Sequence, residues 1–333
     1  MVAATTSTQI QPLLEARSLY KRFRVSGGFF SADSRKIDAV SDVSLQLHRG
    51  DRVGLLGESG CGKSTLGRLL LGLLPPTSGD VVFRGERLAD LSNAQLRQRR
   101  RHMQLVFQDP MGSLNPRMRV GKAAVEPLQV HGMMNPGESW KETAGRLFTR
   151  VGLAPELATR FPHQLSGGQR QRACIARAIA TEPEILVADE PVASLDISVQ
   201  TQILELLATL FAGNDGALLM VSHDVRVIKA LCKDVVVMYL GWVVERGPAH
   251  LVLNQPAHPY TQALLAAVPA LHPDHRHDLR VAEDAVDRTA QGCPYLPRCD
   301  RKTEACGRGI PDEMPLPDGR TVRCITAVNH SDD

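Results

Sequence analysis

The sequence has no apolar run close to the roughly 20 residues that a membrane-spanning helix needs. Its longer apolar stretches, such as residues 69–74, have the length of a segment within a protein core. The first twelve residues, MVAATTSTQIQP, lack a basic segment followed by an apolar one, so we expect no secretory signal. We therefore expect a cytoplasmic chain that reaches a membrane only through partner proteins.

The net charge of the chain is also small. The 39 Lys and Arg residues exceed the 36 Asp and Glu residues by only three, which gives little reason to expect nucleic acid as a partner. The densest basic stretch, residues 97–101, is interpreted as a solvated helix face. A chain of 333 residues with 43% hydrophobic and 23% charged residues is typical of a globular protein with about two domains.

Short apolar runs alternate with helical patterns along most of the chain. Strands are predicted at 13–25, 37–47, 52–56, 185–188, 217–221 and 235–239, and helices at 64–74, 169–180 and 201–211. This alternation indicates an α/β core with a largely parallel sheet. Past residue 254 the chain becomes rich in His, Pro and Asp, which predicts a boundary near 255 and a C-terminal module.

Residues 57–65 read GESGCGKST and match the phosphate-loop pattern G-x-x-x-x-G-K-[ST]. Glycines let the main chain wrap closely around phosphates, and the following helix adds its positive N-terminal end. Lys63 should reach the β- and γ-phosphates, and the Ser64 hydroxyl should bind Mg²⁺. An ordinary Gly-rich turn would not require both the strand before it and the helix after it. We expect nucleotide contacts from Gly57, Glu58, Ser59, Gly60, Cys61, Gly62, Lys63, Ser64 and Thr65.

A second carboxylate site follows an apolar strand at residues 185–190, which read ILVADE. Asp189 is predicted to hold Mg²⁺, directly or through water. Glu190 is predicted to orient and polarise the attacking water. An acidic helix N-terminus, which Pro191 fits, is the alternative, but a phosphate loop in the same chain favours the catalytic interpretation.

Residues 165–172 read LSGGQRQR and resemble the signature sequence of ABC ATPases. Ser166, Gly167 and Gly168 precede a predicted helix and form a second candidate anion site, although Ser166 would also serve as a simple helix cap. In ABC ATPases this surface closes over the γ-phosphate of ATP held by a second subunit. The resemblance therefore implies that Ser166, Gly167, Gly168 and Gln169 contact the ATP of a partner chain.

Other positions match ABC ATPases one by one. The resemblance implies that Phe23 stacks on adenine, with Tyr20 a less suitable candidate and a core aromatic the alternative. It implies that Gln108, in VFQDP, senses Mg²⁺ or water beside the permease contact. Asp196, in SLD, matches the loop that crosses the dimer interface, and His223, in VSHD, matches the histidine that contacts the γ-phosphate.

A narrower resemblance is to the dipeptide, oligopeptide and nickel importers. It is carried by GSLNPR at 112–117, FPHQ at 161–164 and HPYTQALL at 258–265. It implies a phosphate-loop NTPase (RecA-like) core with an antiparallel β subdomain. It also implies a helical signature subdomain at about 109–170 within an ATPase domain at 13–255, and a C-terminal extension at 256–333.

The importer resemblance implies two transmembrane permease subunits, a second ABC ATPase subunit and an extracytoplasmic substrate-binding protein as partners. The ATPase pair is expected to be a heterodimer, with a homodimer left open. The chain would lie peripherally on the cytoplasmic face of the inner membrane and energise import of dipeptides or oligopeptides, with nickel or glutathione as alternatives. It would bind no nucleic acid.

Two other classes of function fit the sequence less well. Ribosome-associated ABC ATPases carry two cassettes in one chain, and DNA-repair members insert long coiled coils between phosphate loop and signature. Here Ser166 lies only 103 positions past Lys63, with Pro and Gly throughout the interval. An iron–sulfur regulatory protein without catalysis would have a damaged nucleotide site, whereas Lys63, Gln108, Asp189, Glu190 and His223 are all present.

Four of the seven cysteines lie near the C-terminus, with the spacing C-x₅-C-x₆-C-x₁₇-C. This is not a zinc-ribbon pattern, which needs two close C-x₂-C pairs. Four thiolates can bind a [4Fe–4S] cluster, and the tail of the resembling importers is associated with one. We predict a structural [4Fe–4S] site at Cys293, Cys299, Cys306 and Cys324, with zinc and free or disulfide-forming thiols as alternatives.

Overall fold

Two β-sheets organise the part of the chain that a computed structural model describes, namely residues 11–26, 34–213, 215–267 and 292–327. Their strands are β1 (Leu14–Ser26), β2 (Ser34–Leu47), β3 (Arg52–Leu56), β4 (Ser78–Phe83), β5 (Glu86–Arg87), β6 (Met103–Val106), β7 (Ile185–Asp189), β8 (Ala217–Ser222), β9 (Asp234–Tyr239), β10 (Trp242–Pro248), β11 (Met314–Pro315) and β12 (Thr321–Val322).

The α-helices of the described residues are α1 (Lys63–Leu70), α2 (Asn93–Arg100), α3 (Pro110–Ser113), α4 (Val120–Val130), α5 (Trp140–Arg150), α6 (Gly167–Ile179), α7 (Ile197–Leu210), α8 (Val225–Leu231), α9 (Ala249–Asn254) and α10 (Pro259–Ala266). Helices α4, α5 and α6 share one core, in which Val125, Phe148 and Ile175 are buried together.

The larger sheet has the order β11-β12-β10-β9-β3-β8-β7-β6. Strands β9, β3, β8, β7 and β6 run parallel to one another, and all six residues of β8 are buried, as expected of a strand covered on both faces. Parallel strands end at one edge of a sheet, and ligands bind there in open α/β folds. The phosphate loop follows β3, Asp189 ends β7 and His223 follows β8, so these groups share that edge.

The smaller sheet is antiparallel and has the order β2-β1-β4-β5. Leu14 of β1 and Val43 of β2 are buried in a core that also contains Leu66 and Leu69 of α1. This arrangement confirms the predicted fold class, an α/β phosphate-loop core with an antiparallel β subdomain and a helical subdomain that carries the signature.

The C-terminal segment is joined to the larger sheet, because β12 pairs with β10 at Glu245↔Val322 and Arg246↔Thr321. Arg320 is fully buried beside Glu245, and Tyr260 and Tyr295 belong to the same core as helices α4, α5 and α6. The predicted extension at 256–333 also includes residues 268–291 and 328–333, which lie outside the described residues.

Across the described ranges, none of the helices has both the length and the apolar character needed to cross a membrane.

Candidate functional site

Two glycines shape the phosphate loop between β3 and α1. Gly62 has φ +114°, and a Cβ there would lie 2.0 Å from the carbonyl oxygen of Ala39. A Cβ at Gly57 would lie 2.2 Å from the carbonyl oxygen of Met238. Both contacts are shorter than any side chain tolerates, so the loop can take this path only with glycine at these positions.

Lys63 and Ser64 begin the helix that follows the loop. The buried Lys63 ammonium donates to the carbonyl oxygens of Gly57 and Glu58 at 2.7 and 2.9 Å. Both are neutral acceptors, and phosphate oxygens would form stronger, charge-assisted bonds with the ammonium. The Ser64 hydroxyl donates to Oδ1 of Asp189 at 2.9 Å. A hydroxyl beside a carboxylate at a phosphate loop fits the oxygen ligands of Mg²⁺.

Asp189 is almost fully buried at the end of β7, and burial raises the pKa of its carboxyl group above the ordinary value. The hydrogen bond from Ser64 works in the opposite direction and favours the charged form. A divalent cation at this position would also favour the charged carboxylate. Burial thus disfavours the Asp189 carboxylate, while Ser64, Arg68, Lys63 and an added divalent cation favour it.

Glu190 brings together three residues that the sequence motifs singled out separately. Gln108 Nε2 donates to Oε2 of Glu190 at 2.9 Å, and His223 Nδ1 lies 3.1 Å from Oε1. The Glu190 side chain is 11% exposed, whereas that of His223 is 54% exposed. Glu190 also has φ +44°, a left-handed conformation that is uncommon for non-glycine residues and is enriched at functional sites. Its carboxylate is thus held at both oxygens with its imidazole partner open to solvent.

A cavity of about 170 Å³ adjoins this carboxylate and has room for water. Its lining is polar apart from two small or branched side chains, and comprises Glu190, Val192, Ala193, Gln200, Ser222, His223, Asp224 and Arg226. A carboxylate at the wall of such a cavity can orient a water molecule for attack on a phosphate.

The signature residues lie at the start of α6. Ser166 Oγ accepts a hydrogen bond from the Gln169 main-chain N–H at 3.3 Å, and Gln169 Oε1 accepts one from the Ser166 N–H at 3.0 Å. A Cβ at Gly168 would lie 2.5 Å from Cγ1 of Val199, so Gly168 packs closely on α7. Asp196 caps α7 by accepting from the Val199 N–H at 3.0 Å. The roles of Ser166 to Gln169 and of Asp196 toward a partner chain's ATP stay predictions.

Phe23 lies on β1 and is 38% exposed as a residue, and Nζ of Lys21 lies 5.3 Å from the centroid of its ring. An exposed ring is available for stacking, which argues against the alternative of a core aromatic. Its contact with adenine stays a prediction.

Sequence reasoning missed two residues beside the phosphate loop, Tyr260 and Arg298. The Tyr260 hydroxyl accepts a hydrogen bond from the Glu58 main-chain N–H at 2.9 Å, and the Arg298 guanidinium lies 3.3 Å from the Glu58 carboxylate. These contacts span 202 and 240 positions of sequence. No local pattern marks a contact of that range, although the HPYTQALL motif did contain Tyr260.

The [4Fe–4S] prediction is wrong. Within the described residues, no three His, Cys, Asp or Glu side chains are grouped so that they could hold a metal ion. Cys293, Cys299, Cys306 and Cys324 line one small cavity, but all four are free thiols. Burial raises the pKa of Cys293 and of Cys299, which favours the protonated thiol over the thiolate that binds metal. The four cysteines therefore line the same cavity without forming a metal-binding group. Of the alternatives, free thiols describe these residues.

Comparison with known families gives two matches. Residues 40–193 match the ABC transporter family, and residues 244–306 match the C-terminal region of oligopeptide/dipeptide transporters. Among individual proteins, a probable peptide ABC transporter ATP-binding protein of Sinorhizobium fredii is 42% identical over 315 residues, covering 94% of this chain and 89% of that protein.

The glutathione import ATP-binding protein GsiA of Escherichia coli is 45% identical over 271 residues. That match covers 81% of this chain and 43% of GsiA, so the chain spans less than half of that relative's length. Among solved structures, a dimeric ATP-binding cassette in a post-hydrolysis state, bound to ADP and Pi, superposes with a TM-score of 0.63 at 28% identity. The superposition covers 71% of this chain and 98% of the chain of that solved structure. The chain belongs to the ABC transporter family, among its ATP-binding subunits.

Proposed function

We propose that this chain hydrolyses ATP to drive the import of dipeptides and oligopeptides through an ABC transporter. The observation that carries the proposal is the Glu190 carboxylate held between Gln108 and His223, next to a complete phosphate loop. The peptide cargo is supported by the match of residues 244–306 and by the Sinorhizobium relative, whose name describes a probable peptide transporter.

In the proposed mechanism Lys63 and the loop main chain bind the ATP phosphates, and Phe23 stacks on the adenine. Ser64 and Asp189 would hold Mg²⁺, which neutralises charge on the phosphate oxygens. Glu190 accepts a hydrogen bond from the attacking water and polarises it. His223 and Gln108 hold the two carboxylate oxygens, so Glu190 cannot rotate away from the water.

We propose further that two ATPase subunits meet head to tail, with Ser166 to Gln169 and Asp196 of one subunit facing the ATP of the other. Contacts to the γ-phosphate that exist only in the closed pair would draw the subunits together, and hydrolysis would release them. A heterodimer is the preferred arrangement. The pair would act on two permease subunits from the cytoplasmic face of the inner membrane, with an extracytoplasmic binding protein supplying the cargo.

Glutathione is the second candidate cargo, because GsiA is 45% identical over the matched region. The two candidates separate in reconstitution: the full chain, purified with its permeases, is placed in proteoliposomes with ATP on the chain's side and the binding protein on the other. ATP-dependent accumulation of a labelled dipeptide is expected. Accumulation of glutathione alone would reassign the cargo, and failure to purify with any permease would overturn the transport role.

Replacing Glu190 with Gln tests the catalytic assignment. The amide keeps the size of the side chain but cannot polarise water as a carboxylate does, so turnover should fall by about 10²–10⁴-fold while ATP binding persists. ATPase rate and nucleotide affinity are measured on the full chain. Glu205→Gln, on an exposed position of α7, is the matched control and should leave both unchanged. A Glu190→Gln chain that turned over at the parental rate would show that another group activates the water.

A further inference from the structure

Glu58 in the phosphate loop is bonded at each of its polar groups. Its main-chain N–H donates to the Tyr260 hydroxyl at 2.9 Å, and its carbonyl oxygen accepts from Lys63 Nζ at 2.9 Å. Its carboxylate lies 3.3 Å from Nη1 of Arg298 at both oxygens, and Oε1 is also 3.3 Å from Nη2. Two of these three partners come from the C-terminal segment, outside the nucleotide motifs.

The C-terminal partners are themselves fixed by packing. Tyr239, Tyr260 and Tyr295 form an aromatic cluster with ring centroids 4.5 to 5.6 Å apart. The Arg298 guanidinium lies 5.7 Å from the Tyr295 ring centroid and 6.0 Å from that of Tyr239, within the range of cation–π attraction. The Arg298 side chain is 22% exposed and that of Glu58 is 42% exposed, so a partly buried guanidinium meets a carboxylate that is more open to solvent.

Movement of Glu58 would be transmitted to the lysine of the site, because Lys63 bonds the carbonyl oxygens of Gly57 and Glu58. Gly57 is in turn confined by the Met238 carbonyl, one residue before Tyr239 of the aromatic cluster. The first half of the loop therefore lies between the sheet and the C-terminal segment.

We propose that Arg298 is a positioning residue for the nucleotide: it fixes Glu58, and through Glu58 it fixes the loop that receives the ATP phosphates. The inference rests on the proposed function, namely ATP binding at this loop. Loss of the guanidinium releases the Glu58 side chain, while Tyr260 and Lys63 still bond its main chain, so part of the ordering of the loop must occur when the nucleotide binds. Because Arg298 does not touch Glu190, the affinity for nucleotide should change more than the turnover rate at saturation.

The test is binding of the Mg²⁺ complex of a non-hydrolysable ATP analogue to the full chain, measured by calorimetry. Arg298→Ala should weaken binding about five- to tenfold, with the saturated ATPase rate changed less than twofold. Glu58→Gln should weaken binding similarly, and the double variant should be no weaker than either single variant because both remove one interaction. Arg298→Lys, which keeps the charge, should recover part of the affinity.

Arg301→Ala is the matched control, since Arg301 lies in the same segment and bonds Gln262 at 3.1 Å rather than the loop. Its affinity should equal that of the parent. Parental affinity in both Arg298→Ala and Glu58→Gln, or losses that add in the double variant, would overturn the inference while leaving ATP binding established. A parent chain that bound no analogue would overturn the proposed function and this inference together. Melting curves without nucleotide verify that each variant is folded.

Discussion

The buried Asp189 carboxylate serves the proposed Mg²⁺ site but destabilises the fold. Burial raises the pKa of its carboxyl group above the ordinary value of 3.8, so the folded chain holds this proton more tightly than the unfolded chain does. The contribution to stability is therefore most favourable below pH 3.8, and it is lost as the pH rises through the higher pKa of the folded state. At neutral pH the buried charge destabilises the fold because desolvation outweighs the favourable effects of Ser64, Arg68 and Lys63.

Asp189→Asn should therefore stabilise the nucleotide-free chain at pH 7 while it abolishes Mg²⁺-dependent ATP turnover. The Asn side-chain oxygen can still accept from Ser64, and the buried charge is gone, so a rise in Tm of about 2–4 °C is expected. The difference between variant and parent should vanish in acid, where Asp189 is protonated. Thermal melting across pH, with ATPase assays, checks both effects. A lower Tm at pH 7 would mean that the charge is already compensated in the free protein.

Among the secondary-structure elements, the stretch from β3 to α1 was the most predictable. The expected strand at 52–56 coincides with β3, because an apolar run buried on both faces carries its own signal. The expected helix at 64–74 instead ends at Leu70: Gly72 adopts φ +60°, and the Leu73 N–H turns back to the Arg68 carbonyl before Pro75 is reached. Strands β6 and β10 were not predicted: β6 has only four residues and pairs with β7, which is distant in sequence, whereas β10 forms a hairpin with the preceding strand β9 that the sequence interpretation overlooked.

Helix α6 offers a way to separate helix capping from signature function, because α5 also begins with a serine that caps the helix. Ser166 Oγ and Ser139 Oγ each accept from the main-chain N–H three residues on, at 3.3 Å in both helices. Either Ser→Ala substitution should lower the free energy of unfolding by about 1 kcal/mol. Only Ser166→Ala should also slow ATP turnover in the assembled transporter, if the signature serves a partner's nucleotide. Equal turnover in the two variants would show that Ser166 only caps the helix and does not contact a partner's nucleotide.

For the molecule as a whole, motif spacing predicted which residues would meet, and long-range packing decided the rest. Gln108, Glu190 and His223 each follow a parallel strand, so the shared strand edge brings them together. Arg298 reaches Glu58 only because the C-terminal segment folds back on the sheet. The prediction of an iron–sulfur site at the four late cysteines was wrong for the same reason. The spacing of these cysteines does not indicate whether their loops converge to ligand distance or only line a common cavity.

The attachment of the C-terminal segment depends on a buried charge pair. Arg320 and Glu245 are both fully buried with Nη1 and Oε1 3.3 Å apart, and Arg320 also bonds Asp318 and the Gln255 carbonyl. Glu245 accepts from the Ala257 and His258 N–H groups at 2.9 and 3.0 Å. The pair thus ties β10 of the sheet both to the strand region at 321–322 and to the start of α10.

Arg320→Met should lower the free energy of unfolding by about 3–5 kcal/mol, because it leaves the Glu245 carboxylate buried without its cation. Burial already raises the pKa of Glu245, so this deficit should shrink as the pH is lowered and the carboxyl takes up a proton. Adding Glu245→Gln removes the orphaned charge but keeps only one acceptor oxygen, whereas the carboxylate offers one oxygen to each of the two N–H groups, so it should recover only part of the loss. Urea unfolding of the single and double variants measures this. Arg308→Met, at an exposed position of the same segment, is the control. If the double variant proved as unstable as Arg320→Met, the loss would come from packing of the arginine side chain rather than from the unpaired carboxylate.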